Sequence, residues 1–176
     1  MAVQKNNYAF IDSNNLYLSI SNNIERGGKI VHVGWKLDYR RFRVFLREKY
    51  QVEKAFLFIG FKAENENMYT YLQKCGYICV FKPTLELKGG QVKGNVDAEL
   101  VLHSMIEFSN YDKAVIVSGD GDFYCLIKYL LGKNKFNVVL APNQHTYSSL
   151  LDKLSTPANN ILRFLNPLKD KLEYNK

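Results

Sequence analysis

Short apolar runs and longer stretches of helical periodicity alternate along the chain. YAFID (8–12), AFLFIGF (55–61), YICVF (77–81), KAVIVS (113–118) and FNVVLA (136–141) are nearly continuous apolar stretches rich in β-branched and aromatic residues, and each predicts a buried strand, FNVVLA the final one. Between them the spacing changes. Leu16, Ile20 and Ile24 recur at helical intervals in NNLYLSISNNIE (14–25). DYRRFRVFLREKY (38–50) opens on Asp38 as an N-cap and turns Phe42, Phe45, Leu46 and Tyr50 inward. ENENMYTYLQKCG (64–76) reads as a helix closed by Gly76, a further helix runs from Asn95 to about Phe108, and DFYCLIKYLLG (122–132) is another.

Two segments stand outside this alternation. After Gly27 and Gly28, KIVHVGW (29–35) has an extended pattern, and LELKGGQVK (85–93) alternates apolar and polar residues around Gly89 and Gly90, the one locally antiparallel signal. Apolar strands separated by helices predict an α/β protein with a mainly parallel central sheet, helices on both faces, right-handed crossovers and a small hairpin insertion. One domain over residues 1–166 is expected, followed by a loosely attached charged tail, PLKDKLEYNK (167–176).

Composition narrows the class. With 47% hydrophobic and 14% aromatic residues, the chain carries enough apolar surface to fold around its own core. No basic leader with a long apolar stretch opens it and no run approaches membrane-spanning length, so a cytoplasmic protein with no membrane partner is expected. Cys75, Cys79 and Cys125 form no CxxC pair, which favours reduced, buried thiols over a disulfide framework or a zinc site. The net charge of +7 suits a polyanionic partner, although many soluble proteins are equally basic.

In an open parallel sheet, the C-terminal strand ends and the N-termini of the following helices share one rim, the usual ligand crevice. Four aspartates fall there: Asp12 ends the first strand, Asp120 and Asp122 follow KAVIV, and Asp97 opens the helix after the hairpin. Singly, each could be a cap or a first-turn acid. Two features argue for more. Asp97 lies about 200° round its helix from Glu99, on the side of Leu100, Val101 and Ser104, while Glu99, His103 and Glu107 form a polar stripe. Asp120 and Asp122 cannot both cap one helix, and carboxylates about 4 Å apart repel by roughly 1 kcal/mol in water and about 4 kcal/mol at an effective dielectric of 20. Such a cluster is tolerable if some acids hold protons or if cations occupy it, and oxygen-only ligands suit Mg²⁺ or Mn²⁺, ions that support in-line phosphoryl transfer. Gly119 and Gly121 permit a tight turn that brings backbone and ligand together, while Asn15 and Ser118 either orient the acids or serve as ordinary cap and turn residues.

Other rim chemistries lack their letters. DSNNLY holds no glycine for a dinucleotide turn, no P-loop or GxSxG elbow occurs, and the D-x-D pair sits on a late strand rather than the first. The strings FIDSNNLY, KGNVDAELVL and VIVSGDGDF, in this order, together with LDYRRFRVFLREKY, FLFIGF and CGYICVFKP, resemble the NYN domain, the LabA-like branch of the PIN-like nuclease superfamily. The resemblance spans about Tyr8 to Ala141 and departs from the family pattern at Ser13 and Gly121. It implies a PIN-like fold and metal-dependent RNA hydrolysis leaving a 5′-phosphate. It places Asp12, Asp97, Asp120 and Asp122 at the acidic, metal-binding positions, with Asn15 and Ser118 as their polar neighbours.

RNA is the expected partner. Lys82, Lys88 and Lys93, on or beside the hairpin that leads to Asp97, are the stronger candidates for phosphate contact. Arg40, Arg43 and Arg47 share one helix face that could track phosphates or simply be solvated, and Tyr147 could stack on a base or pack locally. Two alternatives share this fold: an RNA-binding or regulatory module with little or no hydrolysis, and a small-molecule phosphohydrolase. A homodimer is compatible with the sequence, which specifies neither the RNA target nor a protein partner.

Overall fold

The computed structural model describes residues 5–82, 85–86, 92–93, 96–156 and 159–175. Its centre is a six-stranded, all-parallel sheet in the order β10-β9-β8-β1-β4-β5. These strands are β1 (Asn7–Asp12), β4 (Val52–Gly60), β5 (Tyr77–Lys82), β8 (Ala114–Val117), β9 (Phe136–Ala141) and β10 (Leu162–Phe164). The expected α/β architecture is therefore the observed one. β1 and β8 are buried along their whole length, which explains why they read as continuous apolar runs.

Successive residues of β1 point to opposite faces and seed two cores. Tyr8 and Phe10 join Phe56, Tyr111 and the inner faces of α4 (Asp97–Ile106) and α5 (Tyr124–Gly132). Ala9 and Ile11 join Leu16 and Ile20 of α1 (Ser13–Ser21), Phe42 and Leu46 of α2 (Tyr39–Tyr50), and Leu72 of α3 (Glu66–Lys74). Phe10 and Phe56 stack nearly parallel with ring centroids 5.5 Å apart, tying β1 to β4. Asp38 caps α2 as expected, accepting from the amides of Arg40 and Arg41, and Gly76 follows α3 at φ +93°, where a side chain would be strained.

The structure corrects four expectations. Ile24 leaves the helix: β2 (Ile24–Arg26) and β3 (Lys29–His32) form an antiparallel hairpin turned by Gly27 and Gly28, both at positive φ, so a second hairpin exists. The foreseen one is present as β6 (Leu85–Glu86) paired with β7 (Val92–Lys93), while its glycines, Gly89 and Gly90, lie outside the described residues. FNVVLA is not the last strand, because Leu162–Phe164 adds β10 at the sheet edge. Residues 167–174 do not hang loosely. Leu172 of α6 (Lys169–Leu172) is buried against the α2 layer, the Asp38 amide donates to the Leu172 carbonyl, and the Tyr174 amide donates to the Lys36 carbonyl. Finally, Cys75 and Cys79 are half-buried and Cys125 is exposed, all three as free thiols.

The topology fixes where a site belongs. From β1 the chain builds outward to β4 and β5 on one side and later to β8, β9 and β10 on the other. The strand order thus reverses between β1 and β8, and a crevice opens at the C-terminal ends of such a pair.

Candidate functional site

Asp12 ends β1 in that crevice. Its Oδ1 accepts the amides of Asn14 (3.1 Å) and Asn15 (3.0 Å), so it caps α1, and its Oδ2 accepts the Ser118 hydroxyl at 3.3 Å. The side chain is buried. Desolvation raises its pKa above the usual carboxylate value and the charge of Asp97 raises it further, against the lowering pull of the Asn15 and Asn14 amides and the Ser118 hydroxyl.

Ser118 carries the chain of contacts onward. Its oxygen accepts the Asp120 amide at 3.1 Å, and Asp120 Oδ1 accepts the Asp122 amide at 3.0 Å, capping the short 3₁₀ turn (121–123) that leads into α5. Asn15 reaches across from α1, its Oδ1 accepting the Gly119 amide at 2.8 Å. The two polar residues suggested as neighbours of the acids therefore join the end of β1 to the loop after β8. The glycines have a different neighbour from the ligand that the sequence suggested. A Cβ on Gly119 would stand 3.2 Å from Tyr147 Cα, and one on Gly121 would stand 2.5 Å from Ser148 Oγ, so both admit the 147–148 segment against the loop.

One carboxylate oxygen from each of Asp97, Asp120 and Asp122 lies within 4.8 Å of the others. Asp97 arrives from the first turn of α4, the other two from the loop after β8. Asp97 and Asp120 are half-buried and Asp122 is exposed. The cluster thus contains three of the four acids. Asp12 sits behind it, linked through Ser118 rather than counted within it. Among the described residues no Lys or Arg pairs with Asp120 or Asp122. Three hard oxygen donors at this separation, two of them without such a pair, could hold a metal ion.

The cationic candidates separate. Lys82, at the rim end of β5, pairs with Glu99 at 3.1 Å and so ties β5 to the first turn of α4. Lys88 and the side chain of Lys93 lie outside the described residues. Arg43 donates to three carbonyls, Gly76 (3.1 Å), Val52 (3.2 Å) and Glu53 (2.6 Å). Those carbonyls lie at the start of β4 and just before β5, the end of the sheet away from the acids, so Arg43 staples α2 there instead of facing a phosphate. Arg47, one turn further along α2, is exposed beside Glu48, and Arg40, at the N-terminal end of α2, is exposed. His103 is also reassigned. Its ring packs edge-on against Phe58 with centroids 5.5 Å apart, rather than belonging to a solvated stripe with Glu99. Tyr147 packs locally, its hydroxyl 3.1 Å from both carboxylate oxygens of Asp152 and its ring on Phe164.

The family model for the NYN domain matches residues 8–157, most of the chain and every residue of this rim. The chain belongs to the NYN domain family. NYN domains form part of the PIN-like nuclease superfamily and are usually nuclease-like. This NYN domain is 27% identical over 142 residues to the low amplitude and bright protein LabA of Synechococcus elongatus, an alignment covering 75% of this chain and 71% of LabA. Its fold matches that of a Vibrio parahaemolyticus protein of unknown function solved by crystallography, with a TM-score of 0.69, 18% identity and 99% of each chain covered.

Proposed function

We propose that this NYN domain is a divalent-metal-dependent ribonuclease that hydrolyses RNA phosphodiester bonds at the β1/β8 rim. The observation that carries this reading is the convergence of Asp97, Asp120 and Asp122, brought by two separate segments to within 4.8 Å at the switch point of a parallel sheet. These three carboxylates would hold Mg²⁺ or Mn²⁺. When bound there, such an ion neutralises phosphate charge, activates water and favours the leaving oxygen.

The chain's own residues hold the rim in place. Asp12 fixes the start of α1 through its Oδ1, and its Oδ2 accepts from Ser118, whose oxygen holds the Asp120 amide. Asn15 secures the Gly119 amide and so the approach to Asp120. Burial leaves Asp12 prone to protonation until cationic charge arrives nearby, which couples its ionisation to occupancy of the cluster. Lys82 ends β5 and Arg40 lies in the first turn of α2, and these two cations would meet flanking phosphates. The basic balance of the chain favours a polymer over a small phosphoester.

The test is incubation of the purified protein with labelled single-stranded and structured RNA in Mn²⁺, Mg²⁺ or EDTA, beside Asp97→Asn and Asp120→Asn. Cleavage should require metal and be lost in both variants. RNA binding with no metal-dependent cleavage across a broad substrate panel would instead leave an RNA-binding module, and hydrolysis of small phosphoesters alone would leave a phosphohydrolase.

A further inference from the structure

On the opposite flank of α1 from the acids lies a cavity of about 900 Å³ between α1, α2 and α3. Its lining includes Tyr17, Trp35, Lys36, Tyr39, Tyr71 and Tyr174, an unusual concentration of aromatic faces in one depression. Trp35 is buried in its wall, whereas Tyr17, Tyr71 and Tyr174 are 59%, 38% and 42% exposed around it. Exposed aromatic surface gathered around a depression marks a binding site more often than a plain surface. The cation within it is already poised over a ring, with Lys36 Nζ standing 4.5 Å from the centre of Tyr174.

Placement connects this cavity to the acidic rim. α1 begins at Asp12, and Tyr17 lies five residues along it, about 7 Å up the helix axis. Asn15 faces the Gly119 loop, and Tyr17, two positions on and about 200° round, faces the other way. The N-terminal half of one short helix therefore separates acids from aromatics, and a strand crossing that end of α1 reaches both. Bases splayed from a single strand stack on aromatic side chains, and cations at the edge suit the backbone they hang from. Lys36 and the nearby Arg40, whose charge acts on Tyr71, supply those cations.

We propose that this aromatic cavity is a nucleobase subsite, taking unpaired bases of the RNA strand whose backbone lies across the acidic rim. The proposal rests on the ribonuclease reading for the identity of the polymer, and it adds a preference for single-stranded over duplex RNA. Duplex bases are stacked on one another and cannot enter.

The chain has one tryptophan, so Trp35 emission reports on the cavity alone. The protein is titrated in EDTA with a short single-stranded RNA and with a duplex of equal length, following Trp35 emission and the anisotropy of labelled RNA. Single-stranded RNA should change Trp35 emission saturably and the duplex should not. Tyr17→Ala and Tyr71→Ala should each weaken binding by about ten-fold, the scale of one lost stacking contact, while Tyr71→Phe stays close to wild type. Tyr17 projects into solvent, so its truncation leaves the core intact, and circular dichroism checks both variants. A silent Trp35 at saturating RNA, an equal response to duplex, or wild-type affinity in both alanine variants would overturn the subsite. Metal-dependent cleavage with a silent Trp35 would remove the subsite and leave the nuclease. A Tyr-dependent Trp35 response without any cleavage would remove the nuclease and leave the subsite. Concentration-dependent self-association that Tyr17→Ala abolishes, with Trp35 indifferent to RNA, would assign the cavity to a second copy of the chain and overturn the proposal.

Discussion

Replacing Asp120 with Asn should stabilise the metal-free protein while destroying the cation site. Carboxylate oxygens of Asp97 and Asp120 lie within 4.8 Å. At that separation two unit charges repel by about 0.9 kcal/mol in water-like surroundings and about 3.5 kcal/mol at an effective dielectric of 20. Both side chains are half-buried, which places the pair between those limits, and the exposed Asp122 at the same separation adds about 0.9 kcal/mol in water-like surroundings. Asn keeps the cap, since its Oδ1 still accepts the Asp122 amide, but forfeits about 0.3–1 kcal/mol of favourable charge at the helix start. The net gain is about 1–4 kcal/mol, a rise of about 2–16 °C in Tm for a domain of this size. Mn²⁺ near saturation should invert the ranking, because a ligand at ten-thousandfold its Kd adds about 5.5 kcal/mol to the wild type and little to the variant. The assay is thermal unfolding of both proteins in EDTA and in a Mn²⁺ series. An Asp120→Asn protein less stable than wild type in EDTA, or an equal Mn²⁺ shift in both proteins, would refute the reasoning.

Two further outcomes follow from the contacts at and away from the rim. Burial and Asp97 hold the Asp12 pKa above its ordinary value of 3.8, so in EDTA this group's contribution to stability is present below that value and is lost as pH rises through the raised one. The difference between wild-type and Asp12→Asn urea-unfolding curves across that window should show the wild type losing stability with pH relative to the variant. Arg43→Ala removes donors to three carbonyls and should cost about 2–4 kcal/mol in urea unfolding while leaving RNA affinity unchanged, since its guanidinium faces the chain.

Strand by strand, the sheet was readable wherever a segment is buried on both faces. β8 is wholly apolar and β1 carries no charged residue before Asp12, and the alternation of such runs with helical spacing predicted the parallel topology. β10 was not readable. Its three residues pair with β9 through tertiary context, without a periodicity of their own. Ile24 shows the opposite failure, since it fits the helical interval from Ile20 yet is drawn into a hairpin by two glycines able to adopt positive φ. The charged tail misled because Leu172 is its one fully buried apolar side chain, while Leu168 packs only partly and the backbone hydrogen bonds to Asp38 and Lys36 leave no sequence signal.

At the candidate site the acids could be placed from topology alone, because strand ends and helix starts share a rim. Their grouping could not. Only coordinates show that Asp12 lies behind Ser118 while Asp97, Asp120 and Asp122 stand together. Arg43 and Arg47 share a helix face in sequence, but α2 runs antiparallel to the sheet and carries both toward the far end. The aromatic cavity left no linear signature, since Tyr17, Trp35, Tyr71 and Tyr174 come from four segments.

The most direct measurement is calorimetric titration of Mn²⁺ into EDTA-treated, desalted protein, beside Asp97→Asn and Asp120→Asn. The wild type should bind saturably, and each single replacement should abolish or severely weaken the binding by removing one of three clustered carboxylates. No binding by the wild type, or unchanged binding in both variants, would contradict the assignment of this rim as the metal centre.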